Sequence, residues 1–526
     1  MTVISKRPSL SADTFSLLWD NTVAQHSARL FLRFRDDDGA ISEWTYGEFS
    51  SIVDKVAGRL DEHGVHAGDS VHLCLKNCPA FVALWLAIAK IGAWMVPSDP
   101  AASSRDIASQ IGRVTPALGI CGSERGADYR AGAQSQVITM PIVELGESSA
   151  DVSAGGALMG NTSTSALELT HDPTDRLAVM FTSGTTSQPK GVVLTQGNYL
   201  KVATEMAEAA ALDPYHRWFV TLPLFHANAQ YYCFASAIRV GASVAMTASF
   251  SASRWVEQAR ELGVTHASLF AAPIRMILAR TPGATEPLKL EHVWYAQNLA
   301  PAHHQEFSQL AGVLPRQLYG MTETIAIVSY DRSQPPRPDR IGRPLPGRAV
   351  KLLDPVTRDE VTGDVPGMIA VAGTRGKDLF LEYLDDTVTT SRSFLTDDSG
   401  VEWLLTGDLA KSDEIGDLSF VGRVDDVVKV SGENVSLTEV EAVIAQAPGV
   451  LEAAVIAAPD PIRDIVPHAY VVARSGANEL DIDSLSSWAE KNLAPSARPR
   501  KWHIIDELPR TSVGKIRRFK IGVSES

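Results

Sequence analysis

Phe181-Thr-Ser-Gly-Thr-Thr-Ser-Gln-Pro-Lys190-Gly-Val-Val-Leu-Thr195 gathers five hydroxyl residues, two glycines and a lysine between Thr182 and Gly191. Gly184 and Gly191 let the backbone approach an anion closely. The hydroxyls of Thr182, Ser183, Thr185, Thr186 and Ser187 supply donors, and Lys190 supplies charge, so the loop is suited to a polyphosphate. The apolar run Leu177–Phe181 leads in and Val192–Thr195 leads out, which predicts a strand-loop-strand hairpin. A Walker loop instead runs from strand to helix and follows its lysine with Ser or Thr. Here Gly191 follows Lys190, and the next amphipathic helix begins near Asn198.

Working outward, residues 44–116 alternate helices (Tyr46–Glu62, Pro79–Ile91) with short apolar strands (Ser70–Leu75, Ala93–Pro97), the signature of an α/β layer with a largely parallel sheet. The alternation fades over 122–167, where Ala154–Ser165 is rich in Gly, Ser and Thr and predicts a surface excursion. A second α/β round spans 198–330. Short strands broken by Gly and Pro over 342–421 predict a β subdomain. The last hundred or so residues read as a small α/β piece with a basic tail. A chain of 526 residues exceeds one hydrophobic core, so more than one domain is expected.

Composition excludes several functional classes. The formal net charge of −14 argues against a general nucleic-acid or acidic-membrane partner, although it leaves a local basic pocket open. Four scattered cysteines, Cys74, Cys78, Cys121 and Cys233, give no disulfide framework and predict buried thiols in a reducing compartment. The pairs His63/His66 and His303/His304 lack further ligands at a zinc spacing and are expected at the surface. The N-terminal stretch has no apolar core for a secretory signal. The apolar run 83–97 is too short to span a bilayer, so a cytoplasmic, soluble protein is expected.

Four further segments accompany the hairpin: Tyr319-Gly-Met-Thr-Glu323-Thr324, Thr406-Gly-Asp408, Gly422-Arg423-Val-Asp425-Asp426-Val-Val-Lys429-Val-Ser-Gly432-Glu433-Asn434, and Leu508-Pro-Arg510-Thr511-Ser-Val-Gly514-Lys515. In this order and spacing the chain resembles the adenylate-forming superfamily of acyl- and aryl-CoA synthetases, nonribosomal adenylation domains and luciferases, over nearly its whole length. The segment Asp460–Val472 is similar to crotonobetaine- and carnitine-CoA ligase-like members, except that Ile465 stands where Glu is frequent.

The resemblance implies an α/β fold: a large N-terminal domain of α/β layers plus a β subdomain (1–421), a hinge at 422–426 around Asp425, and a small mobile C-terminal α+β domain (427–526). It implies ATP and Mg2+ as cofactors, with CoA as co-substrate. A carboxylate would attack the α-phosphate, pyrophosphate would leave, and a nucleophile would capture the adenylate. Thr182, Ser183, Gly184, Thr185, Thr186 and Lys190 would grip the phosphates, while Glu323, with Thr322 beside it, would bind the metal. Tyr319 and Gly320 would lie at adenine, Asp408 would accept from both ribose hydroxyls, and Arg423 would reach the ribose or phosphate edge. Lys515 would offset charge at the carboxylate and α-phosphate. Lys429 and Gly432 would enter near the acceptor channel in a second domain arrangement. A homodimer is also implied.

Two departures bear on the substrate. Tyr295-Ala-Gln297-Asn298-Leu299 carries amides where relatives have small apolar residues. Leu222–Ala229 keeps the gate histidine, His226, but has Asn228-Ala229 followed by Gln230-Tyr231-Tyr232 instead of the usual glycine. Polar groups near an acyl channel argue against a long fatty chain and for a small or aromatic, polar acid bound by His226, Asn228, Gln297 and Asn298. The acceptor stays open among CoA, an amine, a carrier protein, or nitrite activation for diazotisation of an arylamine. A silent nucleotide-binding homologue is the remaining alternative.

Overall fold

The computed structural model describes residues 13–136, 139–160, 171–182, 189–281, 285–430, 433–460, 464–474, 480–510 and 516–522. Two large sheets dominate. One has seven strands, of which Ser70–Cys74, Trp94–Pro97, Leu118–Gly122, Ile142–Leu145 and Arg176–Thr182 run parallel, and the phosphate hairpin closes one side of it. The other has nine strands, with Arg217–Val220, Ser243–Thr247, His266–Phe270, His292–Ala296 and Arg316–Tyr319 parallel. Helices Phe15–His26, Tyr46–Glu62, Pro79–Lys90 and Gln196–Ala209 contribute to a continuous apolar core shared with both sheets. Helix Pro79–Lys90 is apolar all round and fully enclosed, which is why its sequence shows no polar face.

The expected surface excursion after Gly122 is only partly one. Helix Gly126–Gln134 and strand Ile142–Leu145 extend the α/β alternation by one more round, the strand pairing in parallel with Leu118–Gly122. The helix is short and Gly/Ala-rich, so its periodicity is weak. It is held by Tyr129, whose hydroxyl lies 2.8 Å from His72 Nδ1 inside the layer. His303 and His304, expected at the surface, are buried on helix Pro301–Ala311, with His304 Nε2 2.8 Å from the Pro315 carbonyl oxygen. His66 is exposed as expected, and all four cysteines are free and buried.

The β subdomain is a five-stranded antiparallel sheet. Thr406-Gly407-Asp408 lies inside the long strand Glu402–Ser412, with Gly407 at φ 74°. The C-terminal domain has its own core, built from helices Leu437–Ile444 and Ile482–Asn492 against the sheet Val450–Asp460, Asp464–Ala473 and Lys501–Ile505. Among the described residues no helix is long and apolar enough to cross a membrane.

Candidate active site

Parallel strands direct their backbone ends, and the loops that follow, toward one edge of the sheet, where ligands of open α/β sheets bind. At that edge of the nine-stranded sheet, strand Arg316–Tyr319 delivers Tyr319 and then the 3₁₀ turn Thr322–Thr324. Gly320 sits in a crowded place, since a Cβ there would lie 3.0 Å from the Tyr232 hydroxyl and 3.2 Å from Ile327 Cα. Glycine is needed because the chain passes so close to the core.

The phosphate hairpin is antiparallel, Arg176–Thr182 with Lys190–Thr195, as its apolar flanks predict. Thr182 and Lys190 are at its described ends, while Ser183, Gly184, Thr185 and Thr186 lie outside the described residues. Its outgoing strand is tied to the rest of the site at several points. Thr195 caps helix Gln196–Ala209 and donates to the Gly376 carbonyl at 2.6 Å. The short strand Glu382–Tyr383 pairs with Val193 and Val192.

That pairing positions Tyr383, a residue the sequence reading did not select. Its hydroxyl donates to Glu323 Oε1 at 2.9 Å, and Lys190 Nζ stands 4.9 Å from the centre of its ring. One tyrosine thus links the phosphate loop to the carboxylate expected to hold the metal. No local signal marks Tyr383, because its role depends on strand pairing between segments nearly two hundred positions apart. Glu323 is 5% exposed, and burial raises its carboxyl above the usual range, with the Tyr383 hydrogen bond and the Lys190 charge opposing the rise. Behind it the buried Arg348 donates to the carbonyls of Thr324 (2.6 Å) and Asp378 (2.9 Å), fixing the turn.

A second cluster forms around Asp408. Tyr319 donates its hydroxyl to Asp408 Oδ2 at 2.6 Å, and Arg423 Nη1 meets Oδ1 at 2.8 Å. Burial, then the adjacent Asp408 charge, pushes the Tyr319 phenol well above its ordinary value, so it stays a donor. Asp408 and Arg423 face each other across the antiparallel strands Glu402–Ser412 and Leu418–Arg423. Tyr319 of this cluster and Glu323 of the first belong to one segment, strand Arg316–Tyr319 followed by the 3₁₀ turn Thr322–Thr324.

The expected acyl side is built on a π-helix, Asn228–Ala235, a geometry that recurs at functional sites. Gln230 is locked within it, accepting from the Tyr199 hydroxyl and donating to the Leu224 carbonyl, both at 2.6 Å. Asn228 is buried and donates to Ser268 Oγ at 2.9 Å, while its Oδ1 is buried without a hydrogen-bond partner. His226 is half-buried, its ring 4.2 Å from that of Phe225. Gln297 and Asn298 are exposed just past strand His292–Ala296. Gln297 holds a left-handed backbone at φ 73°, unusual for a residue with a Cβ, and its carbonyl accepts from Gln317 Nε2 at 3.2 Å.

Among the residues expected in the second arrangement, Lys429 is exposed on strand Val427–Val430 and Asp425 is exposed in the 3₁₀ turn Val424–Asp426. Gly432 and Lys515 lie outside the described residues. Among the described residues no group of three or more His, Cys, Asp or Glu could form a metal centre. Glu323 is instead a single hard-oxygen donor, which fits an ion that takes most of its ligands from phosphates and water.

Comparison with known proteins places this geometry. The AMP-binding enzyme family matches residues 19–384, and the AMP-binding enzyme C-terminal domain matches residues 439–515. Crotonobetaine/carnitine–CoA ligase from Salmonella agona (strain SL483) is 30% identical over 506 residues, covering 95% of this chain and 97% of the relative. The enzyme of the same name from Escherichia coli O139:H28 (strain E24377A / ETEC) is 29% identical over 511 residues, with the same coverage. The structure of the anthranilate CoA ligase AuaEII in complex with anthranoyl-AMP shares the fold, with a TM-score of 0.86, 24% identity and 96% of each chain covered. The chain therefore belongs to the AMP-binding enzyme family, and it is an enzyme of the adenylate-forming superfamily, an AMP-forming ligase.

Proposed function

We propose that this enzyme is an ATP-dependent acid–CoA ligase acting on a small or aromatic carboxylic acid with polar substituents. The observation that carries the proposal is the pair of clusters, Lys190–Tyr383–Glu323 and Tyr319–Asp408–Arg423, whose members Glu323 and Tyr319 come from one segment at the end of strand Arg316–Tyr319. In the first half-reaction a carboxylate oxygen bonds to the α-phosphorus of ATP as the bond to pyrophosphate breaks. In the second, the CoA sulfur bonds to the acyl carbon and AMP departs.

This chain supplies positioning and charge. Lys190 and the hairpin hydroxyls hold the β- and γ-phosphates. Glu323, oriented by Tyr383, would hold Mg2+, which would neutralise phosphate charge. Asp408 accepts the ribose hydroxyls on lone pairs left beside Tyr319 and Arg423, since each carboxylate oxygen can accept more than one hydrogen bond. Tyr319 and Gly320 face the adenine, and Lys515 carries charge to the reacting carboxylate. Residues 422–426 serve as the hinge, and Lys429 and Gly432 reach the acceptor in the second arrangement.

The buried amide edge of Asn228, the Ser268 hydroxyl, and the amides of Gln297 and Asn298 support a polar acid. A long alkyl chain would strand such groups at a cost of about 1–3 kcal/mol each. The relatives' names, covering crotonobetaine, carnitine and anthranilate, support an acid of this size and CoA as the acceptor. A cytoplasmic homodimer is proposed alongside.

The test is pyrophosphate release across a panel of acids and nitrite, with and without CoA or amines, followed by mass spectrometry of the products. A CoA-dependent thioester of a small polar acid is expected. Release indifferent to CoA but stimulated by an arylamine would overturn the CoA assignment. Nucleotide binding with no release across the panel would overturn the ligase itself.

A further inference from the structure

The face between the two domains contains a buried charge triad. Arg275 lies on helix Ala271–Arg280 of the N-terminal domain, whereas Glu452 and Arg510 belong to the C-terminal domain. Arg275 Nε and Nη2 each stand 3.4 Å from Glu452 Oε1, and Arg510 Nη2 is paired with Glu452 Oε2. The three side chains are only 16%, 9% and 13% exposed. One carboxylate thus has an arm to each domain, one oxygen per arginine.

Arg510 stands at a meaningful place in the chain. It forms an antiparallel bridge with Ile516, and Arg517 N–H donates to the Pro509 carbonyl at 2.7 Å. These are the described residues on either side of 511–515, the segment that contains Lys515. Whatever fixes Arg510 therefore fixes the base from which that segment departs. A second contact across the domains lies nearby, with Arg474 Nη2 2.7 Å from His303 Nε2. Burial and the neighbouring arginines hold the His303 ring down to about 4, so it is neutral and can accept from the guanidinium. In this arrangement of the domains Lys429 is exposed.

We propose that Glu452 is a positioning residue: through Arg275 it holds the C-terminal domain in the arrangement used for adenylation, and through Arg510 it passes that placement to the base of the Lys515 segment. Rotation toward the arrangement that brings Lys429 inward must break the Arg275 arm while keeping the Arg510 arm, since Glu452 and Arg510 travel together. The triad therefore sets the balance between the two half-reactions. Burying the pair costs desolvation, and losing one partner leaves a charge uncompensated, so the arm acts as a two-state contact rather than a gradual one. The assignment of half-reactions rests on the ligase reading above, but the domain equilibrium does not.

The decisive variant is Arg275→Gln, which cuts only the arm between domains and leaves Glu452 paired with Arg510, so the fold is retained. Acid-dependent ATP–pyrophosphate exchange is expected to fall about tenfold, within the usual range for coupling between two states. Transfer from a supplied acyl-adenylate to CoA should hold or rise, and Arg275→Lys should recover much of the exchange. Because the four native cysteines are buried, spin labels can be placed at Tyr215→Cys and Ile482→Cys, exposed positions on the two domains. The distance distribution of the full-length protein should gain a second population in Arg275→Gln. An unchanged distribution, or equal loss of both half-reactions, would overturn the proposal. Should no acid in the panel be activated, the ligase reading fails, and the distance measurement still decides the role of the triad.

Discussion

Single side chains carry most of the chemistry, and their neighbours determine how each can be tested. Asp408 holds Tyr319 and Arg423 at once, so Asp408→Asn weakens a charge-assisted pair and replaces one of the two oxygens assigned to ribose with a donor. The adenylation barrier is expected to rise by about 3 kcal/mol, read as slower ATP–pyrophosphate exchange at saturating acid. Glu323→Gln is a sharper probe because a glutamine carbonyl still accepts from Tyr383. The melting midpoint should stay within a few degrees while exchange drops by about two orders of magnitude. With its carboxyl raised by burial, metal-free Glu323 favours its proton, so Mg2+ binding should weaken as pH falls, read by titration calorimetry. Gln297 is a different case, since its left-handed backbone suits glycine. Gln297→Gly should raise stability or leave it nearly unchanged, the relief of about 1 kcal/mol being offset by chain entropy, while the preference among acids shifts. A selectivity profile matching the parent's would remove Gln297 from the substrate site.

At the scale of elements, the hairpin and the π-helix do different work. The hairpin's flanks are buried strands, and its placement is fixed by pairing with Glu382–Tyr383 and by the Thr195 cap. The π-helix offers its first residue, Asn228, with one amide edge unpaired. Asn228→Leu should move preference toward less polar acids and lower kcat/KM for the native acid by about ten- to a hundredfold, the worth of one buried hydrogen bond or so. The strand starts of the nine-stranded sheet make a further prediction. His266, with a ring pKa lowered to about 3 mainly by burial, and His292, also well below 6.5, are neutral in the fold. The unfolded chain binds protons on these rings below 6.5 while the folded chain does not until far lower. Stability is therefore insensitive to them above 6.5 and falls as pH drops from 6.5 toward 3, approaching about 1.4 kcal/mol per pH unit for each ring. Urea denaturation at pH 7.5 and 5 measures this slope, and His266→Gln should flatten it.

For the whole molecule, two α/β sheets provide a fixed floor, and a small domain with its own core packs against it. Among the described residues the contacts across that face include Arg275–Glu452 and Arg474–His303. Lys515→Ala should abolish adenylation while leaving transfer from a supplied adenylate largely intact. Equal loss of both steps would contradict the role given to Lys515.

Local chemistry is legible from the chain alone. The apolar flanks of 181–195 specify a hairpin, helix Tyr46–Glu62 is read to the residue, and five ordered segments carry the resemblance that implies the reaction. Those features depend on near neighbours, so sequence carries them. The segments hardest to read are those whose pattern is weak or satisfied from afar: the Gly/Ala-rich helix Gly126–Gln134 and the buried His303 and His304. Only the tertiary structure set Tyr383 on Glu323, Ser268 beside Asn228, and Glu452 between two arginines of different domains. Each of these joins residues that strand pairing or domain docking brings together from distant parts of the chain, and no local pattern encodes a contact whose two halves are chosen independently.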